Sequence, residues 1–374
     1  MIPGAIEMLH SGRFATKPGC LVIETPDGDL IERAKSPVLR IGRDVLAAQI
    51  AALAGRYALL TQPEPAAFVD PTIAGRAAAT VMVGSLAAAD LETLVAGLPD
   101  VDRVVGIGGG MTLDAAKYVA WRRGIPLVLA PSIVSVDAAV TNTIAVRDGG
   151  RVEYRGFVVA EVIVADLALI GRAPARLNRA GVGDLLSIHT ALWDWRAGAA
   201  AGKVAFDAAL ADRSAAVLAQ LYDLAVEISA VSDRALEAVL RGYVEVNALC
   251  LTAGHSGPEE GSEHYFGYRL EAVTGRSFVH GELIGLGSVL MAALQANEPG
   301  RVARFLDRAG VGWRPAEQGL GRAVLREALT GLPAFVREAG LPYSIIDEAD
   351  LGPDAVERLL DGVPAPAGVP AGGS

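Results

Sequence analysis

Three residues far apart in the chain, Asp184, His264 and His280, carry the donor types of a catalytic metal site. Asp184 lies in Gly181-Val182-Gly183-Asp184-Leu185-Leu186, His264 closes Gly261-Ser262-Glu263-His264, and His280 opens His280-Gly281-Glu282 sixteen positions later. One carboxylate and two imidazoles give a divalent cation three ligands and leave positions open for substrate oxygens, unlike a closed structural site. The chain has only five histidines, so two of them in glycine-flanked, acid-flanked settings stand out. The donor set suits zinc, with iron and nickel as alternatives.

A second constellation is Gly108-Gly109-Gly110, between the apolar run Val104–Ile107 and a helical pattern bearing Asp114 and Lys117. Glycines there let the backbone approach a diphosphate, and the helix N-terminus behind them offers free N–H donors and a favourable dipole. The string is not the GxGxxG fingerprint: counted from Gly106, the last glycine would fall on Met111.

The elements that must position these groups change character along the chain. Tyr57–Thr61, Val104–Ile107, Leu127–Ala130 and Val162–Val164 are short apolar runs suited to strands buried on both faces of a parallel sheet. Helical patterns such as Leu91–Val95 and Asp114–Ala120 alternate with them, which is the α/β signature. Arg147-Asp148-Gly149-Gly150, between Ile144–Val146 and Val152–Tyr154, reads as the turn of an inserted β-hairpin. From about Arg172 the strand signals stop. Leu236, Leu240, Tyr243, Val246 and Cys250 then recur at helical spacing. The expected organisation is a nucleotide-binding α/β domain over 1–171 and an all-helical metal-binding domain over 172–361, with the metal facing the cleft between them. A Pro/Ala/Gly tail over 362–374 is expected to be disordered.

Composition narrows the partners. The 374 residues are 52% hydrophobic and 20% charged with a net charge of −10, which is globular and gives no general attraction to nucleic acid or anionic membrane. Cys20 and Cys250, the only cysteines, form neither a disulfide framework nor a CxxC motif. The N-terminus lacks a signal-peptide pattern, and the longest uncharged stretches, such as Leu283–Asn297, are too short for a membrane span. A cytoplasmic protein without nucleic acid or membrane as partner is expected.

Gly108-Gly109-Gly110-Met111-Thr112-Leu113-Asp114-Ala115-Ala116-Lys117 resembles the nicotinamide-diphosphate motif of the superfamily of iron-containing alcohol dehydrogenases, glycerol dehydrogenases and dehydroquinate synthases. Pro131-Ser132-Ile133-Val134-Ser135-Val136-Asp137 resembles its Pro-Thr-x-x-Ser-x-Asp segment, and Asp184, His264 and His280 match its metal ligands. The likeness spans roughly residues 40 to 295, and its Gly-x-Gly-Asp-Leu, Asp194-Trp195 and Gly-Ser-Glu-His elements are most similar to sn-glycerol-1-phosphate dehydrogenases. The resemblance implies a Rossmann-like parallel-sheet domain followed by a helical domain, as in dehydroquinate synthase. It also implies a zinc-dependent homo-oligomeric enzyme that acts on a small polyol or ketone, reducing the ketone with NADH or NADPH. Gly108, Gly109, Gly110, Asp114, Lys117, Ser132 and Ser135 would contact the cofactor, and Asp137 would bind a substrate hydroxyl or relay a proton. Lys117 could instead complete a solvated helix surface. Thr61-Gln62 supplies no acid for the adenosine ribose, so NAD and NADP both stay open.

Two departures concern the substrate. Gly257-Pro258-Glu259-Glu260 stands where those dehydrogenases have Arg-Pro-Ala-Ser, and Tyr268 replaces a histidine four residues after the first metal histidine. Glutamates beside the metal would disfavour a phosphate dianion, which points to an unphosphorylated ketone; as solvated loop charges they would leave the substrate open. The alternative from another reaction class is a sugar-phosphate cyclase. His264-Tyr265-Phe266-Gly267, Leu270-Glu271-Ala272, Arg122-Arg123-Gly124-Ile125-Pro126 and Val136-Asp137-Ala138 also resemble the cyclases, but Asp184, Ser187 and Thr143 stand where those enzymes carry a glutamate and two lysines.

Overall fold

The computed structural model describes residues 37–148 and 151–363, together with the main chain of three short strands nearer the N-terminus. The tail from residue 364 onward, and Gly149 and Gly150 of the expected turn, lie outside the described residues. Strands β1 (Phe14–Lys17), β2 (Cys20–Glu24) and β3 (Leu30–Ala34) form an antiparallel sheet in that order. Strands β9 (Thr143–Asp148) and β10 (Arg151–Phe157) pair antiparallel as the hairpin the sequence predicts.

The main sheet is built from β4 (Val38–Gly42), β5 (Tyr57–Thr61), β6 (Ala79–Met82), β7 (Arg103–Gly108), β8 (Leu127–Pro131) and β11 (Val162–Asp166). Its order is β4-β11-β8-β7-β5-β6, with every pair parallel. All residues of β5 and β8 are buried, which is why their sequences are unbroken apolar runs and not alternating ones. Leu59, Val105, Ile107, Val128 and Val164 pack with Leu46, Ile50 and Ile73 on one face. Setting aside β4, the strands counted from β5 lie in the order 2-1-3-4-5. In a sheet of this kind the chain reverses its direction of winding between the first and third strands, β5 and β7. Ligands of doubly wound sheets bind at the carboxyl ends of the strands flanking that reversal.

Two compact units are present. One runs to Val182 and takes in Ala230–Ser256; the other is Gly183–Ser229 with the chain from Gly257 onward. The sequence changes from strand-rich to helix-rich near Arg172, yet the helix Asp233–Ala253 and the first residues of Ala175–Leu186 belong to the sheet-bearing unit. Specific bonds account for this. Asn178 accepts the Val134 N–H and donates to the Ile170 carbonyl, and Tyr243 donates its hydroxyl to the Gly181 carbonyl at 2.6 Å. A change in composition marks element type, not the core that a helix joins. In the second unit Gly281 to Ala292 of the helix His280–Leu294 are all buried, so this mostly apolar helix, with Glu282 and Ser288 as its buried polar residues, is covered around its whole circumference. No helix among the described residues is long and apolar enough to cross a membrane.

Candidate active site

Asp184 lies in the last turn of Ala175–Leu186, His264 in the first turn of Ser262–Thr274, and His280 is the first residue of its helix. Gly183 allows the approach: a Cβ there would stand 1.9 Å from the Gly281 carbonyl oxygen, next to His280. Only a residue without a side chain fits. The three ligand atoms fall within 4.8 Å of one another. Asp184 Oδ1 is 3.4 Å from His264 Nε2 and 3.2 Å from His280 Nε2, near the ~3.3 Å edge of a tetrahedron whose metal–ligand bonds are about 2.0 Å. The Asp184 and His264 side chains are 5% and 6% exposed and that of His280 is 34% exposed, so the cluster is closed behind and open on the His280 side.

Glu263, fully buried, organises the cluster and was not among the site residues expected from sequence. Its Oε1 lies 2.8 Å from His264 Nδ1 and also accepts the Gly261 N–H, while Oε2 accepts from Thr190 Oγ1. A carboxylate only accepts, so Nδ1 carries the proton and Nε2 is left to face Asp184 as a ligand. The available signal was an acid directly preceding a histidine at a helix start. Burial works against a charged imidazole, but hydrogen bonds to Asp184 and Glu263 outweigh it and push His264 up to about 9. Burial also opposes ionisation of Asp184, yet the two histidines hold its carboxyl well below the usual carboxylate range. An anionic oxygen and two imidazole nitrogens facing one point, with no lysine or arginine in the cluster, fit a divalent cation.

Asp194 stands behind this layer, accepting N–H groups from Ser262, Ile345 and Gln295. Burial, then the charge of Glu263, push its carboxyl up to about 7. A carboxyl raised above its unfolded value stabilises the fold fully below pH ~4, and that contribution is lost as pH rises through the folded value. The melting temperature of the native protein is therefore expected to fall more steeply between pH 5 and 8 than that of Asp194→Asn, by an amount worth a few kcal/mol. Parallel curves in calorimetry would show Asp194 ionised throughout.

The sheet-bearing unit holds the second constellation. Gly108 ends β7 and Gly109 starts the helix Gly110–Arg123, whose first turn has no side-chain cap, leaving its N–H groups for a ligand. This turn lies at the β5/β7 reversal, and Gln62, directly after β5, accepts from Thr112 Oγ1 at 3.1 Å. The Ser132 N–H donates to the Gly108 carbonyl, and Ile133, Val136 and Ala138 close around Gly109 and Gly110. Ser132, Ser135 and Asp137 are thus on the segment bordering the glycine turn, each half-buried.

Asp114 and Lys117 are placed differently from what sequence suggested. Lys117 Nζ is 2.7 Å from Asp114 Oδ1 and donates to the Thr141 and Thr143 carbonyls, with its side chain 1% exposed. A solvated helix surface does not describe these residues. They form a buried ion pair that ties the glycine-led helix to the segment between Asp137 and β9. The charge is tolerated because the ammonium has three oxygen partners. Ser187 stands where a cyclase would carry lysine, and its Oγ is 2.5 Å from both the Asp184 and the Glu259 carbonyls, which share its one hydroxyl proton.

The family model for iron-containing alcohol dehydrogenases matches residues 68–174. Glycerol-1-phosphate dehydrogenase [NAD(P)+] of Hyperthermus butylicus is 32% identical over 261 residues, covering 68% of this chain and 72% of that protein. The enzyme of the same name from Aeropyrum pernix is 31% identical, covering 69% and 73%. Glycerol dehydrogenase of Schizosaccharomyces pombe superposes with a TM-score of 0.68 at 20% identity over 87% of this chain and 89% of its own. An iron-containing alcohol dehydrogenase of Corynebacterium glutamicum gives 0.67 at 16% identity over 87% and 94%.

Proposed function

Because the chain belongs to the iron-containing alcohol dehydrogenase family and is an oxidoreductase, we propose that it interconverts the ketone and alcohol of a small, unphosphorylated polyol. NADH or NADPH is the hydride donor, and Asp184, His264 and His280 hold a divalent cation, zinc foremost. The observation that carries this reading is the convergence of one carboxylate and two imidazoles at tetrahedral-edge distances with one side open. A cation bound there supplies Lewis acidity toward a carbonyl oxygen. Glu263 holds a proton on His264 Nδ1, so that Nε2 is the nitrogen directed at the cation. Gly108 to Gly110 and the helix start behind them receive the diphosphate, and Ser132 and Ser135 add contacts. Asp137 binds a substrate hydroxyl or passes a proton.

The substrate assignment draws on the loop Gly257-Pro258-Glu259-Glu260. Ser214 donates to the Pro258 carbonyl and Ser187 to that of Glu259, both at 2.5 Å, so the loop is fixed beside Asp184. Both glutamates are half-buried there. Carboxylates in a partly desolvated setting disfavour a phosphate dianion.

The reading is tested by loading the protein with zinc, titrating NADH and NADPH, and screening ketones with and without phosphate. Gly109→Val is expected to weaken cofactor binding by about 100-fold while leaving metal content unchanged, because a Cβ at Gly109 already meets Ile133 at 3.2 Å and branching adds bulk where the backbone must approach a ligand. Native cofactor affinity in that variant would place the diphosphate elsewhere.

A further inference from the structure

The carboxylate of Asp194 is buried and hydrogen-bonded to none of the three candidate metal ligands, yet it joins the elements that carry all of them. Asp194 lies on the helix Ile188–Ala200, with only Ser187 between that helix and the one bearing Asp184. Its Oδ2 accepts the N–H of Ser262, the first residue of the His264 helix, at 2.8 Å. Gly261, the N-cap of that helix, supplies no side-chain bond, so Asp194 serves as its cap from another segment. A Cβ on Gly261 would stand 2.6 Å from the same Oδ2, so only glycine lets the carboxylate reach the helix start.

The other oxygen reaches the third ligand's helix. Asp194 Oδ1 accepts from Gln295 Nε2 at 3.1 Å, and Gln295 is the C-cap residue of the His280 helix. The same Nε2 donates to the Thr190 carbonyl at 3.1 Å, one turn before Asp194. The Ile345 N–H, 2.8 Å from Oδ1, is a third donor and fixes the carboxylate's orientation. A carboxylate offers acceptors on two oxygens and no donor, which suits it to take N–H groups from three separate segments. A helix held by its own backbone bonds moves as a unit, so these bonds set the axial register of the His264 and His280 helices. We infer that Asp194 is a positioning residue that holds the helices of Asp184, His264 and His280 in the register that brings their donor atoms to one cation. The inference rests on those three residues being the metal site. Groups that orient metal ligands from outside carry about 10- to 100-fold in affinity. Glu263 does so on the imidazole itself, Asp194 through the placement of whole helices.

The experiment compares native protein with Asp194→Asn, Gln295→Met and a control, Val356→Ala, which opens a cavity at a fully buried position on the helix Pro353–Asp361. Zinc affinity is measured by chelator competition at about pH 8.5, above the value of about 7 to which burial pushes the Asp194 carboxyl. The visible bands of the cobalt-loaded proteins report ligand geometry. Asparagine puts an NH2 group where one carboxylate oxygen met an N–H donor, and methionine keeps the length of Gln295 without its amide. Zinc affinity is expected to fall at least tenfold in Asp194→Asn and at least threefold in Gln295→Met, with altered cobalt bands in both. Val356→Ala is expected to lower the melting temperature while leaving zinc affinity and the cobalt bands as in native protein. The fold should survive, because Gly183 against Gly281 and Gly287 against the Glu263 main chain keep the ligand-bearing segments in contact. If Asp194→Asn fails to fold, Gln295→Met carries the test. Zinc affinity within twofold of native in either folded variant, or an equal loss in Val356→Ala, overturns the inference while leaving the metal site standing. Native protein that takes up neither zinc nor cobalt overturns the metal-site reading and the inference with it.

Discussion

Replacing His280 with alanine is expected to lower metal content from one ion per chain to less than a tenth, and turnover by about three orders of magnitude. The magnitude follows from losing one of three ligands and the several kcal/mol that Lewis-acid stabilisation contributes to a transition state. The fold should be spared. His280 begins its helix with a third of its side chain exposed, and its hydrogen bond runs to Asp184, another member of the cluster. Alanine is also a better helix former than histidine. Elemental analysis and the melting temperature of metal-stripped protein, measured together, separate loss of metal from loss of structure. Full metal occupancy in this variant would remove His280 from the ligand set.

Gly183→Ala is expected to be nearly as damaging, although it touches no ligand atom. The added methyl would stand 1.9 Å from the Gly281 carbonyl oxygen, a backbone atom that cannot rotate away. Relief requires a shift of about 1 Å between the segments that carry Asp184 and His280, and misplacement on that scale can cost 100-fold in a catalytic site. Metal affinity, measured by competition with a chromophoric chelator, should fall by about that factor, with about 1–3 kcal/mol lost in stability from overpacking. Gly97→Ala is the control, since a Cβ there meets nothing within 4 Å. Native metal affinity in Gly183→Ala would mean that the close approach has no part in assembling the cluster.

Much of the fold was legible because its physical causes are local. Strands β5, β7, β8 and β11 are buried on both faces, so each is written as an apolar run. The hairpin shows a turn pair between β-prone segments, and the glycine turn shows the only residue type that brings a backbone up to a diphosphate. The metal donors stood out because histidine is scarce in this chain. The roles of Lys117 and Glu263 were not legible. A lysine at that spacing reads equally as a ligand contact or a solvated residue, and its burial depends on the carbonyls of Thr141 and Thr143 arriving beside one helix face. Glu263 becomes an orienting group only once Thr190, 73 positions away in sequence, packs against it.

The sequence by itself determined which segments are strands and helices, where the backbone can be approached, and which donor atoms are available. Those properties depend on side-chain chemistry and on neighbours within a few positions. Only the tertiary structure decided that Asp184 and His280, 96 positions apart, lie 3.2 Å from each other. It also decided that Glu263 sets the tautomer of His264 and that the helix Asp233–Ala253 joins the sheet-bearing unit. Each of these is fixed by complementary packing between distant segments, such as Gly183 against Gly281, which no periodicity along the chain encodes.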